Sequence, residues 1–315
     1  MGGGEPVDLA VVIVSYECRE LVTACVDRIA SIGWRHSVEV VVVDNGSTDG
    51  TDKALTGRCR VVQMGCNAGF SVANNAGFAA TRSRHVLVLN PDTLVDDGSI
   101  DLLVDFLDEH PGAGMVAPRL VNPDGSDQLT ARTFPTASAA LFGRRSPLTR
   151  WFPNNRYSTA FLAGRSAPTD GPFRIDWVSG AAMAVPRAMI ERTGGFDPAY
   201  FMFWEDCDWC HRISDTGASV WCLPAARIVH DEGSTRSKRY SPRLIRSFHS
   251  GAYRYWRTHH APQAWNPARW LAAAALAARA GVLIVVELLR KPDRLLRIAT
   301  TQPTASTSEP RPAHR

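Results

Sequence analysis

Four short runs of apolar, mostly β-branched residues mark the first third of the chain: LAVVIV at 9–14, VEVVVV at 38–43, RVVQ at 60–63 and VLVL at 86–89. None alternates apolar with polar positions, so each predicts a strand buried on both faces, as in a parallel sheet covered by helices. The stretches between them, 18–32, 50–56 and 69–82, are helix-like. This rhythm predicts an open α/β sheet over about the first 115 residues. In such sheets ligands bind outside the carboxyl ends of the strands. The polar residues at those ends are Ser15-Tyr16, Asp44-Asn45-Gly46-Ser47, Gly65-Cys66-Asn67 and Asn90-Pro91-Asp92, which the alternation sets on one rim.

From 121 to 172 the chain turns rich in Pro, Ser, Arg and Asn and loses its periodicity, reading as an ordered excursion or a mobile loop. A second structured block runs from 173 to 233. Beyond it lie a basic, aromatic stretch, a helical segment and, after about 300, a polar tail with the composition of disorder.

Composition narrows the function classes. The chain has 315 residues, 45% of them hydrophobic and 21% charged, which is ample for a sizeable core. Thirty-five Lys and Arg against 31 Asp and Glu leave a net charge of +4, too little to argue for nucleic-acid binding. Seven scattered cysteines do not form a disulfide framework, and the opening MGGGEPVDLAVVIVSY has no basic leader region; a reducing cytosolic setting is expected.

The first strand is followed by SYECRE, so no glycine-rich turn cradles a phosphate, and GxxxxGK[ST] is absent. A bound phosphate would need another source of positive charge, and Asp92 could supply it by holding a cation. Mg2+ or Mn2+ takes hard oxygen ligands, usually one or two protein carboxylates, and shares the remainder with substrate phosphates and water. The competing reading is a Pro-Asp turn in which Asp92 and Thr93 merely lead into a helix near Gly98.

The quoted strings VVIVSYE, VVVDNGSTDGT, NAGFSVANNAGF, LVLNPDT, WVSGAAMAVPR and GGFDPAYFMFWEDCDWCHR occur in one order and together resemble the inverting glycosyltransferases of family 2, over roughly residues 8 to 235. The resemblance implies a GT-A nucleotide-sugar-binding fold and, within the family, a rhamnosyltransferase-like branch using dTDP-rhamnose for bacterial cell-surface glycans. It divides the chain into a transferase domain at 1–235, with a nucleotide-binding half at 1–115 and an acceptor half at 116–235. A C-terminal extension at 236–300 and a tail at 301–315 follow.

Roles follow from the resemblance residue by residue. Ser15, Tyr16 and Glu17 fall where the family lines the base pocket, Asp44 and Asn45 where it holds the pyrimidine or ribose, and Asn67 and Gly69 near the ribose. Asn90-Pro91-Asp92 stands in place of the DxD motif, with Asn for the first Asp and Asp92 as the expected ligand of Mg2+ or Mn2+. His230, at a strand end, is either a second ligand or structural. Inverting transfer needs a base for the acceptor hydroxyl; the resemblance places it at Asp206, with Glu205 as the fallback. Trp177, Ser179, Gly180, Ala181 and Trp204 would shape the sugar and acceptor pocket.

The acidic cluster Glu205, Asp206 and Asp208 could also be no more than a helix start favoured by the macrodipole. Phe201, Met202, Phe203 and Trp204 just before it would dry its surroundings and raise a carboxylate's basicity. Cys207, Cys210, His211 and Cys222 invite a zinc reading, yet the first two stand at i and i+3 of a helix, as core residues do.

Arg236, Lys238, Arg239, Arg243, Arg246, Arg254 and Arg257 alternate with aromatics, and no acidic residue lies between 233 and 286. A membrane surface accounts for this stretch as well as nucleic acid does; Arg236 and Lys238 could also close over a diphosphate, or the face could simply be solvated. Residues 270–289 could span a bilayer by length but carry Arg279, Glu287 and much Ala, which predicts an interfacial or core-packed helix bounded by Trp265, Trp270, Arg290 and Lys291. Peripheral attachment at the inner face of the plasma membrane suits a lipid-linked acceptor; packing against the domain or a second copy in a homodimer is the alternative. Other donors, UDP- or GDP-sugars, and a nucleotide-sugar-binding protein without transferase activity stay open. A nucleotidyltransferase would need a glycine-rich, Arg-containing loop that SYECRE does not provide.

Overall fold

The computed structural model describes residues 6–136, 171–232 and 241–289. Strands and helices alternate as the pattern predicts: β1 (Val7–Ser15), α1 (Arg19–Ala30), β2 (Val38–Asp44), α2 (Thr51–Leu55), β3 (Arg60–Gln63), α3 (Phe70–Ala80) and β4 (Ser83–Leu89). They are followed by β5 (Thr93–Val95), α4 (Ser99–Glu109), β6 (Ala113–Val121), β7 (Phe173–Ile175), β8 (Ala182–Pro186), α5 (Arg187–Thr193), α6 (Glu205–Asp215), β9 (Ser219–His230), α7 (Pro242–His259) and α8 (Pro267–Leu289).

One sheet runs in the order β3-β2-β1-β4-β8-β6-β9-β5, with β7 on β9. The first four strands are parallel; β8 enters antiparallel between β4 and β6, and β6 and β9 are again parallel. The fold class is thus mixed α/β, with an all-parallel half carrying the predicted rim. Leu9 to Ile13, Val41 to Val43 and Val86 to Leu89 are at most 1% exposed, as continuous apolar runs require. The side-chain period of two sends Leu9, Val11 and Ile13 to one layer with Val22, Val26 and Leu103, and Val12 to the other with Val88, Phe78 and Trp209.

Two expectations change. RVVQ at 60–63 is not buried on both faces: β3 is the sheet edge, and Arg60 and Gln63 are exposed. The segment 270–289 is not core-packed: α8 lies along α7 on one stripe, Ala280 alone is buried, and Leu271, Val282, Val285, Leu288 and Leu289 are exposed. Its 23 residues are long and apolar enough to cross a membrane by length and composition. The polar excursion begins as a hairpin off β6, with Val121 bridged to Asp127; residues 137–170 and the tail 301–315 lie outside the described residues.

Helix α7 starts on a Ser241 cap whose hydroxyl accepts from the Leu244 amide, with Pro242 in the first turn. Its inner face carries Ile245, His249, Ala252 and Tyr255. The basic residues of this helix are partly spent on the protein. Arg254 pairs with Asp197 at 2.6 Å, and Arg243 stacks 4.3 Å over Phe201. Ser247 Oγ donates to the Met202 carbonyl at 2.9 Å, so α7 buttresses the segment leading into α6.

Candidate active site

The predicted strand ends meet on one rim, joined largely by their own polar atoms. Asn45, 3% exposed, is a brace: its Nδ2 donates to Asn67 Oδ1 (3.2 Å) and to the Gly69 carbonyl (3.4 Å), while its Oδ1 accepts from the Ala68 amide (3.0 Å). Gly69 sits at φ +92, and a Cβ there would lie 2.5 Å from the Phe201 carbonyl, which accepts from the Phe70 amide at 2.7 Å. Only glycine permits this contact, which ties the β3–α3 loop to the approach of α6.

Asp44 is buried and its Oδ1 accepts from the Ser47 amide (3.0 Å). Tyr16 is 48% exposed on the same edge. Ser15 and Glu17 stand at the same strand-end rim, where each braces a loop. Ser15 is fully buried, its carbonyl accepting from the Asn45 amide (2.8 Å) and its hydroxyl 3.2 Å from Cys18 Sγ. Glu17, at φ +50, holds the 45–48 loop: its Oε1 accepts from both the amide and the hydroxyl of Thr48, each at 2.9 Å. Both shape the rim through these contacts.

The Asn90-Pro91-Asp92 segment leaves β4 and turns into β5. The Asn90 amide donates to the Ala181 carbonyl (2.9 Å) and its carbonyl accepts from Thr93 Oγ1 (2.7 Å). Thr93 pairs in register with His230 across β5 and β9, which sets Asp92 against that histidine. His230 Nε2 lies 3.3 Å from Asp92 Oδ1, and the two side chains are about 5% exposed. A carboxylate oxygen beside an imidazole nitrogen, at a strand-end rim, is a donor set that fits a divalent cation.

Beside them stands α6. Phe203 and Trp204, immediately before it, both have left-handed φ, 73 and 77. Each such non-glycine residue costs on the order of 1–3 kcal/mol and persists only where surroundings impose it. Here α7 imposes it: Gly251 passes so close that a Cβ would meet the Phe203 carbonyl at 3.0 Å, and Trp204 packs against Phe248 and Tyr255.

The strained turn separates three acidic residues into distinct roles. Asp208 is structural, buried and paired with Arg212 Nε (2.8 Å) and His259 Nε2 (2.9 Å); burial opposes its charge, but those partners outweigh it and hold its carboxyl below the usual range. Glu205 is buried, with Oε2 lacking a hydrogen-bond partner, and burial together with the adjacent Asp206 pushes it well above the usual range. Asp206 is half-buried; its Oδ2 accepts from the Gly180 amide (3.1 Å) and its Oδ1 from the Cys207 amide (2.8 Å). Burial raises its pKa too, and those two amides and the charge of Arg132 offset only part of the rise. A half-buried carboxylate of raised basicity can take a proton from a hydroxyl.

Around Asp206 lie the other predicted pocket residues. Gly180 is buried, Ser179 half-buried with its Oγ 3.4 Å from the Ala181 amide, and Trp177 is 8% exposed. Arg236 lies outside the described residues. Sequence reasoning passed over Arg132, which exchanges two 3.0 Å backbone hydrogen bonds with Trp177 and stacks 5.0 Å over its ring. It sits in the excursion, whose weak periodicity gave no strand signal.

The zinc reading finds no support among the described residues. Cys210 Sγ packs 3.5 Å from Met115 Sδ, and burial pushes the Cys207 and Cys222 thiols up, the latter to about 12. His211, Asp215 and His259 bring ligand atoms within 4.8 Å of one another, but the imidazoles stack at 4.0 Å and 30°. Imidazole lone pairs lie in the ring plane, so stacked rings do not aim them at one ion.

The two buried carboxyls make opposite pH predictions. Glu205, raised in the fold, contributes stability fully present below its unfolded value of ~4.3 and lost as pH rises through its higher folded value. Asp208, lowered in the fold, contributes stability present above ~3.9 and lost as pH falls through its folded value. Urea unfolding across pH should find Glu205→Gln more stable than the parent at neutral pH, with a flatter alkaline slope. Asp208→Asn should be less stable by about 1–3 kcal/mol, with a flatter acid slope.

Residues 10–170 match the model of glycosyl transferase family 2. The chain is 30% identical over 282 residues to the N-acetylglucosaminyl-diphospho-decaprenol L-rhamnosyltransferase of Mycobacterium tuberculosis, covering 85% of this chain and 90% of that one. Its fold is similar to that of GalNAc-T7, solved with UDP, GalNAc and Mn2+, at a TM-score of 0.58 and 16% identity over 80% of this chain; it spans about half of that protein, 48%. It is also similar to the mannosyltransferase PcManGT from Pyrobaculum calidifontis, solved with GDP-Man and Mn2+, at a TM-score of 0.55 and 18% identity, covering 94% and 79% of the two chains. With the GT-A sheet, the strand-end rim and the family match in agreement, the chain belongs to glycosyltransferase family 2 and is rhamnosyltransferase-like within it.

Proposed function

We propose that this transferase moves L-rhamnose, with inversion, from dTDP-rhamnose to a lipid-linked acceptor of the cell envelope, with Asp206 as the base. The observation that carries the assignment is the Gly180 amide held on Asp206 Oδ2 while the next residue, Ala181, holds Asn90 by its carbonyl. The two hydrogen bonds couple the proposed base to the strand-end turn that carries Asp92.

Asp44, with the exposed Tyr16 beside it, would face the nucleotide, and Asn45 and Gly69 fix the loop over it. Asp92 and His230 would hold a divalent cation, whose chemistry is to offset the charge of the leaving nucleoside diphosphate. The imidazole favours Mn2+ over Mg2+, which prefers oxygen ligands. Asp206 takes the proton of the acceptor hydroxyl, its basicity raised by burial. Rhamnose and a polyprenyl diphosphate acceptor are supported by the name of the mycobacterial relative.

The exposed apolar face of α8 supports attachment to a membrane surface. Because α8 lies along α7, a spanning orientation would draw the exposed Arg243 and Arg246 into hydrocarbon, at a cost of ~2.5–3.5 kcal/mol each. An in-plane position leaves Leu271, Val282 and Val285 toward lipid and Trp265 and Trp270 at the headgroup level.

Asp206→Asn should lower the transfer rate by about 10²–10⁴-fold while donor affinity measured by calorimetry stays within about twofold. Full transfer by that variant would refute the base. Leu271→Asp with Val282→Asp and Val285→Asp should abolish co-sedimentation with phosphatidylglycerol vesicles and leave nucleotide binding intact; unchanged sedimentation would remove the membrane from the account.

A further inference from the structure

His230 has a second polar contact, made through the hairpin at the start of the excursion. Its Nδ1 lies 2.8 Å from Gln128 Oε1. Which atom donates can be read from the chain of bonds behind it. Asp124 carries an ionised carboxyl, held below the usual range by the Ser126 hydroxyl and amide. It can only accept, so the Ser126 hydroxyl donates to it (2.6 Å). The Ser126 oxygen then accepts from Asn122 Nδ2 (2.8 Å), which leaves Asn122 Oδ1 to accept from Gln128 Nε2 (2.8 Å).

Gln128 Nε2 also donates to the His230 carbonyl at 2.6 Å, an acceptor whatever the side chains do. Both constraints give Gln128 Oε1 the accepting role, so His230 Nδ1 must carry a proton. In the neutral ring Nε2 then bears the lone pair, and it is this atom that faces Asp92 Oδ1 at 3.3 Å. The hairpin is well fixed: the Asn122 amide bonds the Ser126 carbonyl (2.8 Å), the Gln128 amide bonds the Leu120 carbonyl (3.0 Å), and Gln128 is 9% exposed.

We infer that Gln128, at the head of a relay running from Asp124 through Ser126 and Asn122, is the positioning residue that fixes the His230 tautomer and presents its Nε2 lone pair, with Asp92, to a divalent cation. The inference rests on the reading of Asp92 and His230 as the cation site. Partners on the far nitrogen of a ligating histidine fix its orientation and raise its basicity, and losing one typically costs 10–100-fold in metal affinity.

The test uses the full chain without donor or acceptor. Long-range proton–nitrogen correlation of the histidine rings, with the His230 signal assigned by its loss in His230→Gln, should show a proton held on Nδ1, the nitrogen that faces Gln128. Gln128→Met should lose that pattern, and its affinity for Mn2+, titrated alone and read by the electron paramagnetic resonance of free Mn2+, should fall about 10–100-fold. Gln128→Glu keeps an acceptor against Nδ1, so it should keep the tautomer and recover most of the affinity. A ring with no proton on Nδ1 in the parent, or unchanged tautomer and Mn2+ affinity in Gln128→Met, would overturn the inference. If the parent shows the expected tautomer yet binds no Mn2+, the cation site is wrong while the tautomer relay stands.

Discussion

Two neighbouring backbone groups hold the rim together: the Gly180 amide on the Asp206 carboxylate, and the Ala181 carbonyl on the Asn90 amide. They lie just before β8, the strand that enters antiparallel between β4 and β6. Because β8 is locked to β4 from Leu89↔Ala182 to His85↔Pro186, the Gly180 amide that holds Asp206 is fixed relative to the end of the parallel half. The proposed cation side is thus positioned by the sheet ladder, and the proposed base by one hydrogen bond to the segment that the ladder fixes. Groups held in this way need little reorganisation when a substrate binds.

The stability of the site is spent unevenly. Two left-handed residues in succession, Phe203 and Trp204, and a buried Glu205 with an unpartnered oxygen are unfavourable features within three residues. They persist because α7 closes over them with Gly251, Phe248 and Tyr255, so the C-terminal extension completes the catalytic domain as well as carrying α8. Asp208, one turn further on, anchors the same helix through Arg212 and His259.

What the sequence made legible follows from how strongly each segment is constrained. Strands buried on two faces must be apolar throughout, so β1, β2 and β4 are visible as runs, and their polar ends mark the rim. The run at β3 obeys the same pattern at an edge, where apolarity alone cannot distinguish one neighbour from two. Ser15 and Glu17 stand on the rim that the strand ends predict, but their bracing contacts to Asn45 and Thr48 depend on loop geometry beyond the reach of spacing. Gln128 and Arg132 lie in the polar excursion, which has no periodic signal; their significance comes from residues about a hundred and about forty-five positions away, His230 and Trp177. Helix α8 was visible, but its composition fits a core as well as a surface, and only its packing on α7 separates the two.

The central claim, a cation-dependent glycosyl transfer at this rim, is tested most directly by release of nucleoside diphosphate from dTDP-rhamnose beside UDP- and GDP-sugars. The assay would be run with Mn2+, with Mg2+ and with EDTA, and with a polyprenyl diphosphate glycan as acceptor. The account predicts turnover of dTDP-rhamnose that requires both acceptor and cation and is lost in EDTA. Turnover indifferent to EDTA, or tight donor binding with no release under any condition, would contradict it.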